Sequence, residues 1–303
     1  MILDALMGEP RWLWSRVPHP AVLMGRAIGW ADRTFNSGAT RRAKGVVFAI
    51  ALTIAAYAIG HATALLGPVA EVAVGAVLIA QKSLVQHVVA VADGLRQSTA
   101  SGRAAVAMIV GRDTSDMTDS AVARAAIESA AENHSDGVVA PIFWFAVLGL
   151  PGLVAYKAIN TADSMIGYRT PRHEEFGMAS ARLDDLVNWI PARLTAILIL
   201  LVHGALRHWP EVRAEAPLHR SPNAGWPESA MARVHGIALS GPRAYDGQMQ
   251  DFPFVNPSGQ KDLGPRDIAA VTGTLWRVWA LTLGSIALLS LGAWLIPDVP
   301  LIG

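Results

Sequence analysis

The sequence contains no cysteine, which excludes disulfides, thiolate metal sites and cysteine nucleophiles and leaves the redox compartment unassigned. Charge is scarce as well. Asp, Glu, Lys and Arg make up 16% of 303 residues, against about 25% in ordinary soluble domains. That is too little to coat a water-facing surface of this size. A net charge of +1 offers no field to a polyanion, so no nucleic-acid partner is expected. The chain has no Gly-Lys dipeptide, hence no Walker A loop, and lacks GxGxxG, HExxH and Gly-x-Ser-x-Gly. Its nine histidines are scattered, and His61 and His203, set in apolar runs, read as packing residues.

What is abundant is apolar. Hydrophobic residues form 52% of the chain and the mean hydropathy is +0.34. A helix crosses a bilayer with about 20 mainly apolar residues. Gly45 to Leu66 supplies 22 residues without a formal charge, and Gly137 to Tyr156 and Val278 to Pro297 supply 20 each. Trp276, Trp279 and Trp294 flank the last of these as interfacial anchors. Leu194 to Leu206, extended by Trp189, Ile190 and a snorkelling Arg193, makes a fourth run. Val72 to Ala92, apolar except for Lys82, makes a fifth, and Gly67-Pro68 turns the first run into it as a hairpin. The expected fold is all-α: a multi-pass membrane helical protein with amphipathic helices, and room for re-entrant ones, at the cytoplasmic face.

The expected layout is a single integral membrane domain over 1–303. It has a cytoplasmic N-terminal segment (1–44), a helical hairpin (45–92), a polar cytoplasmic segment (93–136), apolar helices around a polar site segment (137–206), a second polar cytoplasmic segment (207–273) and a C-terminal membrane helix (274–303). Asp4 and Glu9 stand where a signal peptide would be basic, so none is expected. Seven basic residues precede residue 45, with Arg41, Arg42 and Lys44 directly before the first run, and none follows Asp298. The positive-inside rule then puts the N-terminus in the cytoplasm of a cell whose inner membrane holds the protein. Segment 157–185 poses a parity problem. A full crossing by 137–156 would put it outside; a break at Leu148-Gly149-Leu150-Pro151-Gly152, giving two half-spans, would keep it inside. Four or five crossings both fit. Val234 to Tyr245 alternates as a strand or extended loop would.

With so few charges, their clustering is informative. Gly111-Arg112-Asp113-Thr114-Ser115-Asp116 precedes a helix-compatible stretch from Met117 to Asn133, which Asp116 can cap with Asp119 in its first turn. Such an entry is either an ordinary capped helix or a phosphate cradle. On that helix Arg124, Glu128 and Glu132 share one face, followed by Asn133 and Asp136. It is a solvated stripe or, at a membrane surface, a carboxylate set for magnesium. Lys157, Asn160, Asp163, Ser164, Gly167 and Tyr168 form the next cluster, then Arg182, Asp184, Asp185 and Asn188, and finally Ser221-Pro222-Asn223-Ala224-Gly225-Trp226. Lys82, one of four lysines against 21 arginines, lies within an apolar run. Two readings of it stand side by side: a functional intramembrane charge, or a side chain snorkelling where the helix leaves the bilayer.

These strings, with Leu3-Asp4, Gly8-Glu9-Pro10, His19-Pro20, Lys82-Ser83-Leu84, Ala131-Glu132-Asn133, Ser135-Asp136-Gly137, Tyr156-Lys157-Ala158 and Asn188-Trp189-Ile190-Pro191-Ala192-Arg193, follow one another in a specific order. In this the chain resembles the cobalamin-biosynthesis family CobD/CbiB, the adenosylcobinamide-phosphate synthases, over nearly its whole length. Glu9, where the family often has Asp, and His134, at a variable position, are mild departures.

The resemblance implies a membrane ligase of the corrin pathway. It would join adenosylcobyric acid to aminopropanol phosphate, or a related amino-alcohol phosphate, with ATP as co-substrate and Mg2+ as cofactor. Other corrin-pathway enzymes and the lipid bilayer are the implied partners, and self-association is left open. On this reading Lys82, Lys157 and Arg182 neutralise phosphate or orient the carboxylate, and Asp184 or Asp185 takes the amine proton. Arg112, Thr114, Ser115, Asn133, Asn160, Ser164, Tyr168, Ser221 and Asn223 contact substrate or nucleotide, and Asp113, Asp116, Glu132 and Asp163 are the metal candidates. A corrinoid or metal transporter and a non-catalytic scaffold are the rival classes. A transporter should show paired broken helices, of which the sequence displays one, at Pro151.

Overall fold

The computed structural model describes residues 1–245 and 248–295. Segment 298–303, which helped to orient the C-terminus above, and the side chain of Trp294 lie outside the described residues. The described chain is all-helical apart from two antiparallel ribbons, β1 (Leu239–Ser240) with β4 (Phe254–Val255) and β2 (Arg243–Tyr245) with β3 (Gln248–Gln250). The stretch from Val234 to Tyr245 thus closes a helix at His235 and then runs into strands. Among the described residues, Arg41–Ala64, Pro68–Gln97, Asp119–Ile166 and Pro265–Gly292 are long and apolar enough to cross a bilayer. Met178–Val187 with Trp189–Val202 forms a further, interrupted candidate. The protein is a multi-pass membrane helical protein.

The helices fall into two compact units, one built from Met1–Ala80 and Asp136–Trp189, the other from Gln81–Ser135 and the chain from Ile190 on. In the first, α1 (Ile2–Met7), α2 (Arg11–Trp14) and α3 (Pro20–Phe35) precede the long α4 (Arg41–Ala64). Gly67, at φ 99°, then turns the chain into α5 (Pro68–Leu78), as the Gly67-Pro68 pair requires. The helix does not run on to Ala92. Ile79 is extended (φ −92°, ψ 137°), so the second apolar run is broken just before Lys82.

The expected break in the run from Gly137 is present. Within α9 (Ala140–Ile166) Gly149 adopts φ 66° and ψ −160°, and Pro151 cannot donate to the carbonyl a turn earlier. The two arms fold back on each other: a Cβ on Gly152 would lie 2.7 Å from the Trp144 carbonyl oxygen, a separation impossible in a straight helix, where eight residues rise about 12 Å. The second arm lies antiparallel to α4. A Cβ on Gly60 would lie 2.7 Å from Pro151 Cα, and one on Gly45 would overlap the Phe176 carbonyl. Phe48 stacks on Phe176 with ring centroids 5.6 Å apart. Residues 166–177 therefore return to the Arg41 end of α4. The break divides the run into two arms, and the second arm together with residues 166–177 lies along α4 from Gly60 to Gly45.

The second unit packs α6 (Gln81–Gln97) against α7 (Thr99–Val106), α8 (Asp119–His134) and α14 (Pro265–Leu295). Ala123, Ala125, Ala126, Ala130 and Ala131 bury α8 on nearly every side, their small side chains admitting neighbouring backbones. The helix is capped by Thr118, whose Oγ1 accepts the Ala121 N–H at 3.2 Å. Asp116 does not take that place, because it lies two residues too early. Asp119 sits in the first turn as expected. The unit is completed by α11 (Trp189–Val202), α12 (Trp209–Glu215) and α13 (Gly225–His235).

Replacing Gly60 by leucine forces α4 off the Pro151 turn, so Gly60→Leu is expected to abolish the monodisperse detergent-extracted peak. Gly60→Ala should lose yield and Tm less severely; an unchanged Tm for both would show that this contact is dispensable.

Candidate functional site

In the first unit the residues singled out from sequence converge on a buried polar layer between α9 and α10 (Met178–Val187). Tyr156, fully buried, has its hydroxyl 3.0 Å from the Asp136 carbonyl oxygen and 2.9 Å from Asn188 Oδ1. Asn160 Nδ2 donates to Asp184 Oδ1 at 3.2 Å. Lys157 lies on the same face, and the carboxylates of Asp136, Asp184 and Glu9 all act on its charge. Lys157 is half-buried, and the opposite charges nearby favour its charged form. Asp185 faces the positive fields of Arg182 and Arg169. Ser164 donates to the Asn160 carbonyl at 2.9 Å, and Asp163 packs over Gly167, where a Cβ would collide with its carboxylate. Tyr168, just beyond α9, is exposed and stands apart from the buried layer.

Why the layer forms here follows from the backbone. The chain enters α9 through a π-helix, Ser135–Val139. Pro141 has no N–H, so the Gly137 carbonyl loses the partner that an α-helix would give it. Ala80, beyond the break after α5, donates to it at 3.0 Å. The Tyr156 hydroxyl meets the neighbouring Asp136 carbonyl. Two interrupted helices thus satisfy each other's exposed peptides within an apolar unit.

A second cluster belongs to the other unit. Arg112 donates to Glu128 Oε2 at 2.9 Å, both side chains being nearly buried, and Glu128 Oε1 accepts the Ser240 N–H at 2.6 Å. Ser240 itself has φ 62°, so Glu128 fixes a backbone shape that few residues adopt. Asp113 is exposed; hydrogen bonds from the Ser115 N–H (2.9 Å) and hydroxyl (2.8 Å), with help from the Thr114 N–H, hold its carboxyl below the usual range. Thr114 is half-buried between them and Asp116 is exposed. Glu132 is half-buried on α8, where Asn133 donates to the Ser129 carbonyl at 2.9 Å. Ser221 Oγ accepts the N–H groups of Asn223 and Ala224, and Asn223 Oδ1 accepts from Arg193 at 3.3 Å. Arg193 also lies 4.4 Å from the Trp226 ring centroid. Lys82 is the second residue of α6, directly after the break. It therefore adds its positive charge to the positive end of a helix dipole.

Among the described residues no three Asp, Glu or His side chains come together as a metal cage. Magnesium needs no such cage: it keeps several waters and takes one or two carboxylates together with phosphate oxygens. An ionised, exposed Asp113 beside two hydroxyls fits that requirement.

The CobD/Cbib protein family model matches residues 1–275. The chain belongs to this family. It is 46% identical over 310 residues to the "Cobalamin biosynthesis protein CobD" of Brucella anthropi, covering 96% of this chain and 95% of that protein. The protein of the same name from Rhizobium meliloti is 49% identical over 292 residues, covering 90% and 89%. That from Rhodobacter capsulatus is 45% identical over 299 residues, covering 95% of each. No solved structure matches.

Several contributors to these clusters in the family member described here escape a reading of spacing alone. Glu128 looks like part of a solvated stripe until Ser240, 112 residues later, arrives on it. Tyr156 reads as an interfacial anchor, yet is wholly buried. The break at Ile79 and Ala80 has no glycine or proline of its own; its signal is Pro141, which frees the Gly137 carbonyl.

Two outcomes are expected. Glu128→Ala leaves Arg112 buried without its partner and should cost about 3–5 kcal/mol, read as a large fall in Tm, whereas Glu128→Gln should cost less. His235, whose Nε2 lies 2.9 Å from Thr274 Oγ1, is pushed down to about 4 by burial and the nearby His203. Its folded form resists protonation, so stability is expected to fall as pH drops from 6.5 towards 4. The loss is roughly 1 kcal/mol at pH 5 after allowance for partial exposure, and a His235→Gln melt should be flatter over that range.

Proposed function

We propose that this protein serves cobalamin biosynthesis as the ATP-dependent ligase that joins adenosylcobyric acid to aminopropanol phosphate or a related amino-alcohol phosphate. The reading is supported by the family match over residues 1–275 and by the names that its relatives carry. The observation that supports the chemistry is the polar layer of Tyr156 with Asn188 and Asn160 with Asp184, beside which half-buried Lys157 feels the charges of Asp136, Asp184 and Glu9.

A carboxylate does not acylate an amine unaided. In the proposed reaction a ring propionate takes the terminal phosphoryl group of ATP, giving an acyl phosphate and ADP. The amine then attacks the acyl carbon, the amide forms, phosphate leaves and one proton is released. Phosphoryl transfer rests on positioning and charge neutralisation. Arg112, Thr114 and Ser115 contact the nucleotide, and Lys82 adds its charge at the α6 N-terminus, where peptide N–H groups also favour an anion. Asp113 and Asp116 would hold magnesium, with Glu132 and Asp163 as the other candidates; the ion supplies neutralisation of phosphate charge. Asn133, Ser164, Tyr168, Ser221 and Asn223 line the approach of substrate. Lys157 and Arg182 orient the carboxylate, and Asp184, held by Asn160, or Asp185 takes the amine proton. The site faces the cytoplasm, because the Arg41 end of α4 is its basic end.

One observation favours a second reading, transport: among the described residues helices are interrupted at Ile79, at Gly149 and between α10 and α11. The test is purified protein with ATP, magnesium, adenosylcobyric acid and aminopropanol phosphate. ADP release matched by new amide supports the ligase; substrate uptake into proteoliposomes without amide supports transport. Lys157→Met and Asp113→Asn should each lower turnover at least about a hundredfold, the order of loss when one charge-stabilising group is removed. Full turnover in both would sink the residue assignment.

A further inference from the structure

The N-terminal helix α3 is expected from sequence to lie in the cytoplasm; its packing on α4 and α9 supports a different placement. Its C-terminal end is fixed at the Arg41 end of α4: Arg172 donates to Asp32 at 2.6 Å, Asn36 donates to the Arg172 carbonyl at 2.9 Å, and Arg41 pairs with Glu175 at 3.2 Å. From there α3 descends. Ile28 is buried with Ala162, Ile166 and Phe176, against Phe48 and Leu52. Met24, one turn earlier in the chain, packs on the cluster of Ala56, Leu78 and Leu153. Sixteen residues span about 24 Å, more than the roughly 15 Å from surface to bilayer midplane.

The opposite face of α3 is exposed and apolar. Val22, Leu23, Ala27 and Trp30 recur at helical spacing along it, the first two and Trp30 being 47%, 50% and 56% exposed. At the same depth α4 exposes Val47, Ile50 and Ile54, residues of a helix that crosses the bilayer. The two faces are continuous in chemistry and in level, and that continuity selects hydrocarbon as the occupant. The charges on this face agree: Arg33 is at the upper end, and Arg26 lies two turns below, within reach of the headgroups by snorkelling.

We propose that Pro20–Phe35 is a membrane-embedded helix, its Phe35 end at the Arg41 side, with Val22, Leu23, Ala27 and Trp30 against lipid acyl chains. The segment before it then shields the buried layer, since Glu9 and His19 both lie within electrostatic reach of Lys157.

The absence of cysteine makes the test clean. Leu23→Cys, Ala27→Cys and Ser37→Cys, each spin-labelled in the full-length protein in phosphatidylcholine–phosphatidylglycerol nanodiscs, are compared for collision with oxygen and with a water-soluble nickel complex. The expected oxygen-to-nickel ratio is several-fold higher at 23 and 27 than at 37. Nickel collision at 23 and 27 equal to that at 37 would put the face in water and overturn the proposal. So would protection from both reagents at 23 and 27, which would put a second copy of the chain there. Ala27→Cys, a small change at an exposed position, keeps the test readable should Leu23→Cys misfold.

Discussion

A peptide N–H or C=O left unpaired in hydrocarbon costs several kcal/mol, and the first unit is arranged around that penalty. It contains helix interruptions in apolar sequence, and each must find partners. Pro141 removes one donor; the π-helix from Ser135 to Val139 displaces others; Ile79 ends α5 in an extended conformation. The hydrogen bond from Ala80 to the Gly137 carbonyl, and the Tyr156 hydroxyl at the Asp136 carbonyl, answer these losses together. Remove either and the chain would have to close the helices, taking with it the polar layer that their ends create.

That layer is placed by close approach elsewhere. Gly60 and Gly45 let α4 meet the second arm of α9 and the Phe176 carbonyl, so Lys157, Asn160 and Asp163 are held on a helix anchored at both ends. Half-buried Lys157 feels the charges of acids from separate segments, Asp136, Asp184 and Glu9. No short motif contains them all. The charges that the composition so sparingly supplies are spent where backbone breaks already demand polarity.

This explains what the sequence disclosed and what it hid. Apolar runs are read directly from sequence, so the long helices were legible, as was the break that Gly149 and Pro151 announce, whereas the run from Val72 to Ala92 hid a break at Ile79. The hairpin's consequence, that residues 166–177 return to the Arg41 end, needed a choice between two parities that periodicity does not make. The Ile79 break was invisible because the partner of the Ala80 N–H that follows it, the Gly137 carbonyl, lies some sixty residues away. Glu128 was visible as a charge and illegible as a pin, since its meaning depends on Ser240. The α8 cap was misplaced by two residues because Asp116 and Thr118 are both good capping types, and only helix geometry chooses between them. The polar strings were recognised in order along the chain, while the depth at which they sit was not.

Depth matters to the chemistry proposed. An acyl phosphate is consumed by water as readily as by an amine, so a ligase gains from holding it where water is scarce. The Lys157 layer is built among apolar helices, and opposite charges there interact more strongly than at a surface. A water-soluble enzyme would need a closing lid to reach the same condition. In the proposed reaction the bilayer and the apolar helices around the layer would supply the dry wall. On the proposed function, a membrane location for a reaction between soluble molecules would serve to keep a reactive intermediate from hydrolysis, with no need of a membrane-bound substrate.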